Sequence, residues 1–405
     1  MDFYDALETR DPAGRERDLL GALPSLIAHA KSNAPYFAAL LASFDAASVK
    51  DRAALARLPV TRKSELHEFQ KAAMPFGGLN ATPVSGLARI FVSPGPIYDP
   101  EGRGADFWRT ARTLFAAGFR PGDLAINCFS YHLTPAGSMF ETGLHKLRCA
   151  VIPGGVGQSE MQVRAIAELK PVGYVGTPSF LKVLLEKADE MKVDVSCLKK
   201  AMVSGEAFLP PVREALAARG ILGYQSYGTA DLGMIAYETP ARQGLVLDEE
   251  IIVEIVRPGT GDPVAEGEVG EVVVTTLNRD YPLVRFATGD LSAVLAGPSP
   301  CGRTNVRIKG WMGRADQTTK VRGLFVHPHQ LAEALKRHPE VRRARLTVGN
   351  EGGDDTMTLR CEGGSDAAVI AASIRDVTKL RCAVEFVAAG TLPNDGKVIE
   401  DIRKY

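Results

Sequence analysis

From residue 105 onward, short apolar runs alternate with stretches in which apolar residues recur every three or four positions. In "ADFWRTARTLFAAGF" (105–119), Phe107, Ala111, Leu114 and Phe115 fall on one stripe, which predicts a helix, and "PGD" then turns the chain into the strand "LAINCF". Further strands are predicted at "CAVIP", "VGYVG", "KAMVSG" and "ILGYQSYG". The stretches "SEMQVRAIAELK", "PSFLKVLLEKADE" and "PPVREALAARG" between them read as helices. Strand, helix, strand at this spacing predicts a parallel sheet covered on both faces.

The texture changes at residue 233. "MIAYE", "GLVLDEEIIVEIV" and "GEVGEVVVTTL" are extended runs separated by Gly, Pro and Asp with no room for helices, which predicts an antiparallel β subdomain. Beyond "GWMGRAD" come two strands, a helix near "HQLAEALKRH", strands at "RRARLTVG" and "TMTLRCEG", the helix "DAAVIAASIRDVTKL" and a last strand "AVEFVA". The expected fold class is α/β: a large N-terminal domain, residues 1–315, with parallel α/β sheets plus a β subdomain, and a small α+β domain, residues 316–405.

The 405 residues are 45% hydrophobic and 24% charged, as in an ordinary globular protein. Lys plus Arg and Asp plus Glu both total 48, so no excess of positive charge is available to hold nucleic acid or an anionic membrane. A small-molecule partner is the default. The charged opening "MDFYDALETRDPAGRERD" lacks the apolar run of a secretory signal, and no later run is long enough to span a bilayer. Six scattered cysteines without a C-x-x-C pair suggest neither a zinc site nor a disulfide framework, and a reducing cytoplasm is the expected location.

Four segments carry the candidate chemistry: "SYGTADLG" (226–233), "YPLVRFATGDLSAV" (281–294), "GWMGRADQTTKVRGLFVHP" (310–328) and "LPNDGKVIE" (392–400). Taken singly each has a bland reading. Asp290 in "TGD" is a turn residue or a carboxylate able to accept from two vicinal ribose hydroxyls, and Lys397 is a solvated lysine or a mobile cation on a glycine turn. In this order and spacing, together with "NAPYFAALL", "LPVTRKSEL", "GTPSF" and "PCGRT", they resemble the adenylate-forming superfamily, and within it the phenylacetate-CoA ligase branch. The resemblance covers nearly the whole chain.

That resemblance implies specific roles. Asp290 would hold the ribose, Arg314 the ribose and α-phosphate, and Gly205, Glu206 and Ala207 would border the adenine. Tyr227 and Gly228 would approach the nucleotide, Thr229 would contact phosphate, and Asp231, where the family usually has glutamate, would be the Mg2+ ligand. Asp316 matches the hinge of a mobile C-terminal lid, Arg322 and Gly323 the loop lining the thioester tunnel, and Lys397 the catalytic lysine of adenylation. The acid would lie among Phe129, Tyr131, His132, Ala136, Gly137, Phe140, Gly154 and Gly155.

One stretch departs from the pattern. Where the family carries a Ser/Thr/Gly phosphate loop, this chain reads "VSPGPIYDPEGRG". Pro94 and Pro96 each remove an amide donor, Asp99 and Glu101 add like charge, and Ser93 and Gly95 remain, beside the positive end of a helix expected to start near Ala105. The expected function is therefore an acyl-CoA ligase that activates a small, aromatic carboxylic acid with ATP and Mg2+ and transfers it to coenzyme A. The alternatives are an adenylating enzyme with an amine or carrier-protein acceptor, and a non-catalytic adenylate-binding protein. Homodimers are common among such enzymes.

Overall fold

Successive side chains of the buried strands feed two different cores, as the two-residue period of a strand requires. Ala125, Val175 and Met202 join an apolar cluster with Trp108, Phe119 and Phe140, whereas Ile126, Tyr174, Ala201 and Val203 join another with Val163, Leu181 and Leu184. Both faces of the sheet are thus covered, as the alternating pattern predicts. The computed structural model describes residues 2–403 apart from 94–95, 316, 318, 322–323 and 352–353.

The parallel strands run in the spatial order Ala150–Ile152, Leu124–Asn127, Gly173–Gly176, Lys200–Val203, Leu222–Thr229. At Thr229 the chain reverses, and the sheet continues antiparallel through Gly233–Glu238, Leu245–Leu247 and Arg307–Ile308. Helices Ala136–Lys146, Ser159–Leu169, Pro178–Met191 and Pro210–Ala218 make the crossovers. Their ends are locally coded. Helix Pro178–Met191, for example, starts with proline at its first position and the Thr177 side chain accepting from Phe180 N, and stops at left-handed Lys192.

The chain divides into two units, one of residues 1–253, 274–286 and 295–311, the other of residues 254–273, 287–294 and 312–405. Strands Ile251–Val256, Gly270–Thr276 and Phe286–Ser292 each place residues in both. In the second unit a four-stranded sheet has the order Ala383–Val387, Asp354–Glu362, Arg343–Glu351, Ile399–Asp401. Helices Pro328–Leu335 and Ala367–Thr378 supply Leu331, Ala334, Ile370 and Ile374 to a core shared with Leu346, Val348 and Leu359.

Three local expectations are corrected. The helix expected over 105–119 spans only Thr110–Ala116, because the Asp106 carboxylate accepts from Thr110 N and Ala111 N at 2.9 and 3.0 Å and Arg109 is left-handed at φ 60°. "GLVLDEEIIVEIV" is two strands, Leu245–Leu247 and Ile251–Val256. Finally, strand Ile399–Asp401 follows "AVEFVA" and pairs parallel with Leu346–Val348; three residues of mixed polarity give no periodic signal. Among the described residues no helix is long and apolar enough to cross a membrane, and all six cysteines are free thiols.

Candidate nucleotide and acid pocket

Three strands of the parallel half deliver the chain at their carboxyl ends to one cavity, the place where open α/β sheets bind ligands. Asn127 leads to Phe129, Val203 to Ser204 and Gly205, and Gln225 to Gly228 and Thr229. The cavity encloses about 210 Å³ and lies wholly within the first unit. It brings together Ser93, Phe129, Ala136, Phe140, Gly205, Gly228 and Thr229, residues that sequence reasoning singled out from four separate stretches. It also uses Thr134, Pro135, Met139, Ser204 and Ala230, which stand in the recognised stretches but were not singled out, and Met234, which lies just past "SYGTADLG".

Backbone geometry explains the glycines. Gly205 adopts φ +84° as the chain leaves strand Lys200–Val203. At Gly228, where the pairing register shifts, an added Cβ would lie 2.6 Å from both Gly233 O and Met234 Cε. The Phe129 and Phe140 rings stack on each other, centroids 5.0 Å apart and planes 12° from parallel. They therefore build one apolar wall, with buried Met139 and Met234 nearby, and do not form two sides of a slot.

The proline-bearing stretch is a β-hairpin. Arg89–Ser93 pairs antiparallel with Ile97–Glu101, and Ser93 Oγ is turned to Ile97 O at 3.3 Å. No helix follows it directly: the next begins at Thr110, and its first amides are taken by Asp106, so the positive end expected near Ala105 is not open to phosphate. The hairpin's acids face inward. Glu101 is buried against Arg89 Nη1 at 3.0 Å and Ser138 Oγ at 3.1 Å.

Asp99 is fully shielded, and neither of its oxygens has a hydrogen bond of good geometry. Burial first, and then the charge of Asp231, push the Asp99 carboxyl well above its ordinary value, eased by Ser93 and Lys63. The buried Tyr281 hydroxyl is driven up by burial and by the same two carboxylates. Asp231 Oδ2 accepts from Lys63 Nζ at 2.5 Å. A magnesium ion fits this arrangement poorly. Asp231 has no exposed side-chain surface, one oxygen is engaged by an ammonium, and among the described residues no three His, Cys, Asp or Glu side chains converge as a metal site. No step is therefore assigned to a metal held by Asp231.

Other sequence candidates lie outside the cavity lining. The Tyr131 hydroxyl donates to Glu141 at 2.6 Å and accepts from Asn127 Nδ2 at 2.9 Å, and burial with Glu141 pushes its ionisation far up. His132 is exposed; Gly137 donates to Ser130 O, and Gly155 N donates to Asn127 O at 3.0 Å. A Cβ on Gly154 would press on Ile126 at 3.1 Å. Glu206 is exposed and accepts from Ser179 N at 2.6 Å, Ala207 is exposed, and Tyr227 is buried in its strand. Gly95, Asp316, Arg322 and Gly323 fall outside the described residues.

In the second unit, Asp290 lies within strand Phe286–Ser292, not at a turn, and meets Arg314, with which it also forms an isolated antiparallel bridge. Lys397 is half exposed, with Nζ 3.8 Å from Glu400 Oε1, and its carbonyl accepts from Arg345 Nε at 3.2 Å. It lines a small cavity with Arg257, Glu268, Leu331 and Arg343.

A parallel sheet with a cavity at its carboxyl edge, lined by the hairpin residue Ser93 and by Gly228 and Thr229 just past the register shift at Tyr227/Gly228, lies largely within residues 114–278, which match a family model described as AMP-binding enzyme. Among solved structures, an open conformation of 2-hydroxyisobutyryl-CoA ligase in complex with 2-HIB-AMP and CoA superposes with a TM-score of 0.73 at 27% identity, covering 97% of this chain and 93% of that one. The same ligase in its thioesterification state gives 0.71, covering 98% and 92%. The phenylacetate-coenzyme A ligase of Aromatoleum evansii is 31% identical over 364 residues, 85% of this chain and 80% of the relative's own length, and that of Thermus thermophilus is 31% identical over 84% and 79%. The chain belongs to the phenylacetate-coenzyme A ligase family.

Proposed function

We propose that the protein is an ATP-dependent, AMP-forming acid–thiol ligase that converts a small aromatic carboxylic acid into its coenzyme A thioester. In the first half-reaction a carboxylate oxygen attacks the α-phosphorus of ATP and the bond to pyrophosphate breaks, leaving an acyl-adenylate. In the second, the CoA thiolate attacks the acyl carbon and AMP leaves. Forming a mixed anhydride splits one difficult acyl transfer into two easier ones.

The observation that carries this reading is the single cavity in which the hairpin residue Ser93, the Gly228–Thr229 strand end and the stacked Phe129–Phe140 wall meet. A polar edge of hydroxyls and backbone faces an apolar wall, the division of labour that an aryl adenylate needs. On this reading Thr229, Gly205 and Gly228 border the nucleotide, and Phe129, Ala136, Met139, Phe140 and Met234 border the acyl group. Asp290 and Arg314 take the ribose, Lys397 neutralises charge during adenylation, and the C-terminal region that carries it is a mobile lid, the roles that the resemblance supplies. Six free thiols accord with a reducing cytoplasm.

The test is ATP-dependent pyrophosphate release with a panel of aryl and short-chain acids. Release with phenylacetate-like acids, followed by thioester formation when CoA is added, is expected. An amine or carrier-protein acceptor would give adenylate without thioester, and a binding protein would give neither.

A further inference from the structure

Where sequence reasoning placed a metal ligand, the first unit holds an ion pair. Lys63 and Asp231 are 168 positions apart, yet Lys63 Nζ lies 2.5 Å from Asp231 Oδ2. The carboxylate has no exposed side-chain surface, while the lysine side chain is 25% exposed. Lys63 is set by its neighbours: strand Thr61–Arg62 ends immediately before it, and the single helical turn Lys63–Glu65 starts on it. The other Asp231 oxygen is buried without a hydrogen bond, and Asp99 supplies a second, fully buried carboxyl on the same side. The ammonium thus compensates Asp231 in a region of low dielectric, where an uncompensated carboxylate is costly, while burial and the Asp231 charge favour the protonated form of Asp99.

Magnesium binds with near-octahedral geometry and keeps several waters. A carboxylate with no solvent-facing edge, one of whose oxygens already accepts a short charged hydrogen bond, offers it little. Asp231 has another structural consequence. It follows Thr229 and Ala230, both of which line the cavity, and Leu232 N donates to Thr229 Oγ1 at 3.2 Å. Whatever fixes Asp231 fixes this turn.

We propose that Lys63 is the built-in counter-cation of this site: its ammonium, in place of a divalent ion, neutralises Asp231 and so positions the Thr229–Asp231 turn at the edge of the cavity. Lys63 is a positioning residue, and magnesium enters only as the counter-ion of the ATP phosphates. The meaning of the cavity rests on the ligase reading, but the ion pair and its test do not.

The experiment is thermal unfolding of the full chain without nucleotide, with and without millimolar Mg2+ or Mn2+, for the unaltered protein, Asp231→Asn, Lys63→Gln and the double variant Lys63→Gln/Asp231→Asn. The unaltered protein is expected to melt at the same temperature with and without metal. Lys63→Gln is expected to melt several degrees lower and to recover in proportion to the logarithm of metal concentration, because the uncompensated Asp231, with Asp99 beside it, now accepts a cation that binds only the folded state. The double variant should regain stability without metal and lose the metal response. If the unaltered protein is stabilised by Mn2+ alone and Asp231→Asn abolishes that response, Asp231 is a metal ligand and the proposal fails. It fails equally if Lys63→Gln is as stable as the unaltered protein in the absence of metal. Should Lys63→Gln not fold, Mn2+ titration of the unaltered protein against Asp231→Asn decides: no response supports the proposal, and a response lost in Asp231→Asn overturns it. None of these readouts requires turnover, so a failed search for the acid substrate leaves the result standing.

Discussion

Arg314 Nη1 donates to Asp290 Oδ1 at 2.8 Å, and while the aspartate is largely buried the arginine side chain keeps more than half of its surface open. A pair built this way holds its carboxylate in place while leaving the guanidinium able to turn to a ligand. Asp290→Asn keeps the shape but removes the charge that accepts from Arg314 and, under the proposed function, from ribose hydroxyls. The expected result is a rise of about tenfold or more in KM for ATP, roughly the 1.4 kcal/mol that such a factor represents. Because the arginine stays solvated, stability should fall by no more than about 1 kcal/mol. Steady-state kinetics beside a melt check this; a large loss of Tm with unchanged KM would make the pair a purely structural one.

The Phe129–Phe140 stack predicts how the acid is chosen. Phe140→Leu keeps most of the apolar volume and removes the partner ring, with an expected stability cost of about 1 kcal/mol. KM for an aryl acid should rise about tenfold while KM for ATP stays within twofold, since the proposed function puts this wall on the acyl side; a tenfold change is about 1.4 kcal/mol. Equal rises in both constants would place the ring elsewhere in the catalytic cycle.

Much of this fold is legible in sequence because its signals are local. Apolar runs such as "VGYVG" and "KAMVSG" are short, the helices between them are amphipathic, and Thr177 and Pro178 mark a helix start unaided. The cavity glycines Gly205 and Gly228 were legible for a related reason, since they stand in motifs whose spacing is fixed. What escaped is long-range. Lys63 stands in the recognised stretch "LPVTRKSEL", yet nothing near it in sequence names Asp231 as its partner. Asp99 reads as a charge beside phosphate until the hairpin register turns it inward, and Asp106 shortens a helix by a cap that amphipathic periodicity alone cannot reveal.

Asp99 gives a pH dependence with a definite sign. Its folded-state carboxyl titrates well above the ordinary value, chiefly through burial, so the stability it permits is fully present below that ordinary value and is lost as pH rises through the folded one. Asp99→Asn removes the ionisation. The variant should be more stable than the unaltered protein under mildly alkaline conditions, by about 1–2 kcal/mol, and the gap should close as the solution is made acidic. Chemical denaturation across that range measures it, and a gap that widens on acidification would reverse the assignment.

Lys397 is half exposed, with its Nζ 3.8 Å from Glu400 Oε1, so its removal should hardly disturb folding. Lys397→Ala is expected to melt within about 0.5 kcal/mol of the unaltered protein. Adenylate formation should fall at least ~10²-fold with little change in nucleotide affinity, as for a group that acts mainly in the transition state. An unchanged rate of pyrophosphate release would remove this lysine from the chemistry.

The central claim is that a carboxylic acid passes through a bound acyl-adenylate on its way to a thioester, and a two-stage chase tests it most directly. Protein, ATP and a labelled aryl acid are mixed without CoA, the bound species is identified by mass spectrometry, and CoA is then added. The account predicts one pyrophosphate released per acyl-adenylate formed, and conversion of that adenylate to acyl-CoA and AMP after the chase. Formation of ADP and phosphate, or no adenylate with any acid in the panel, would contradict it.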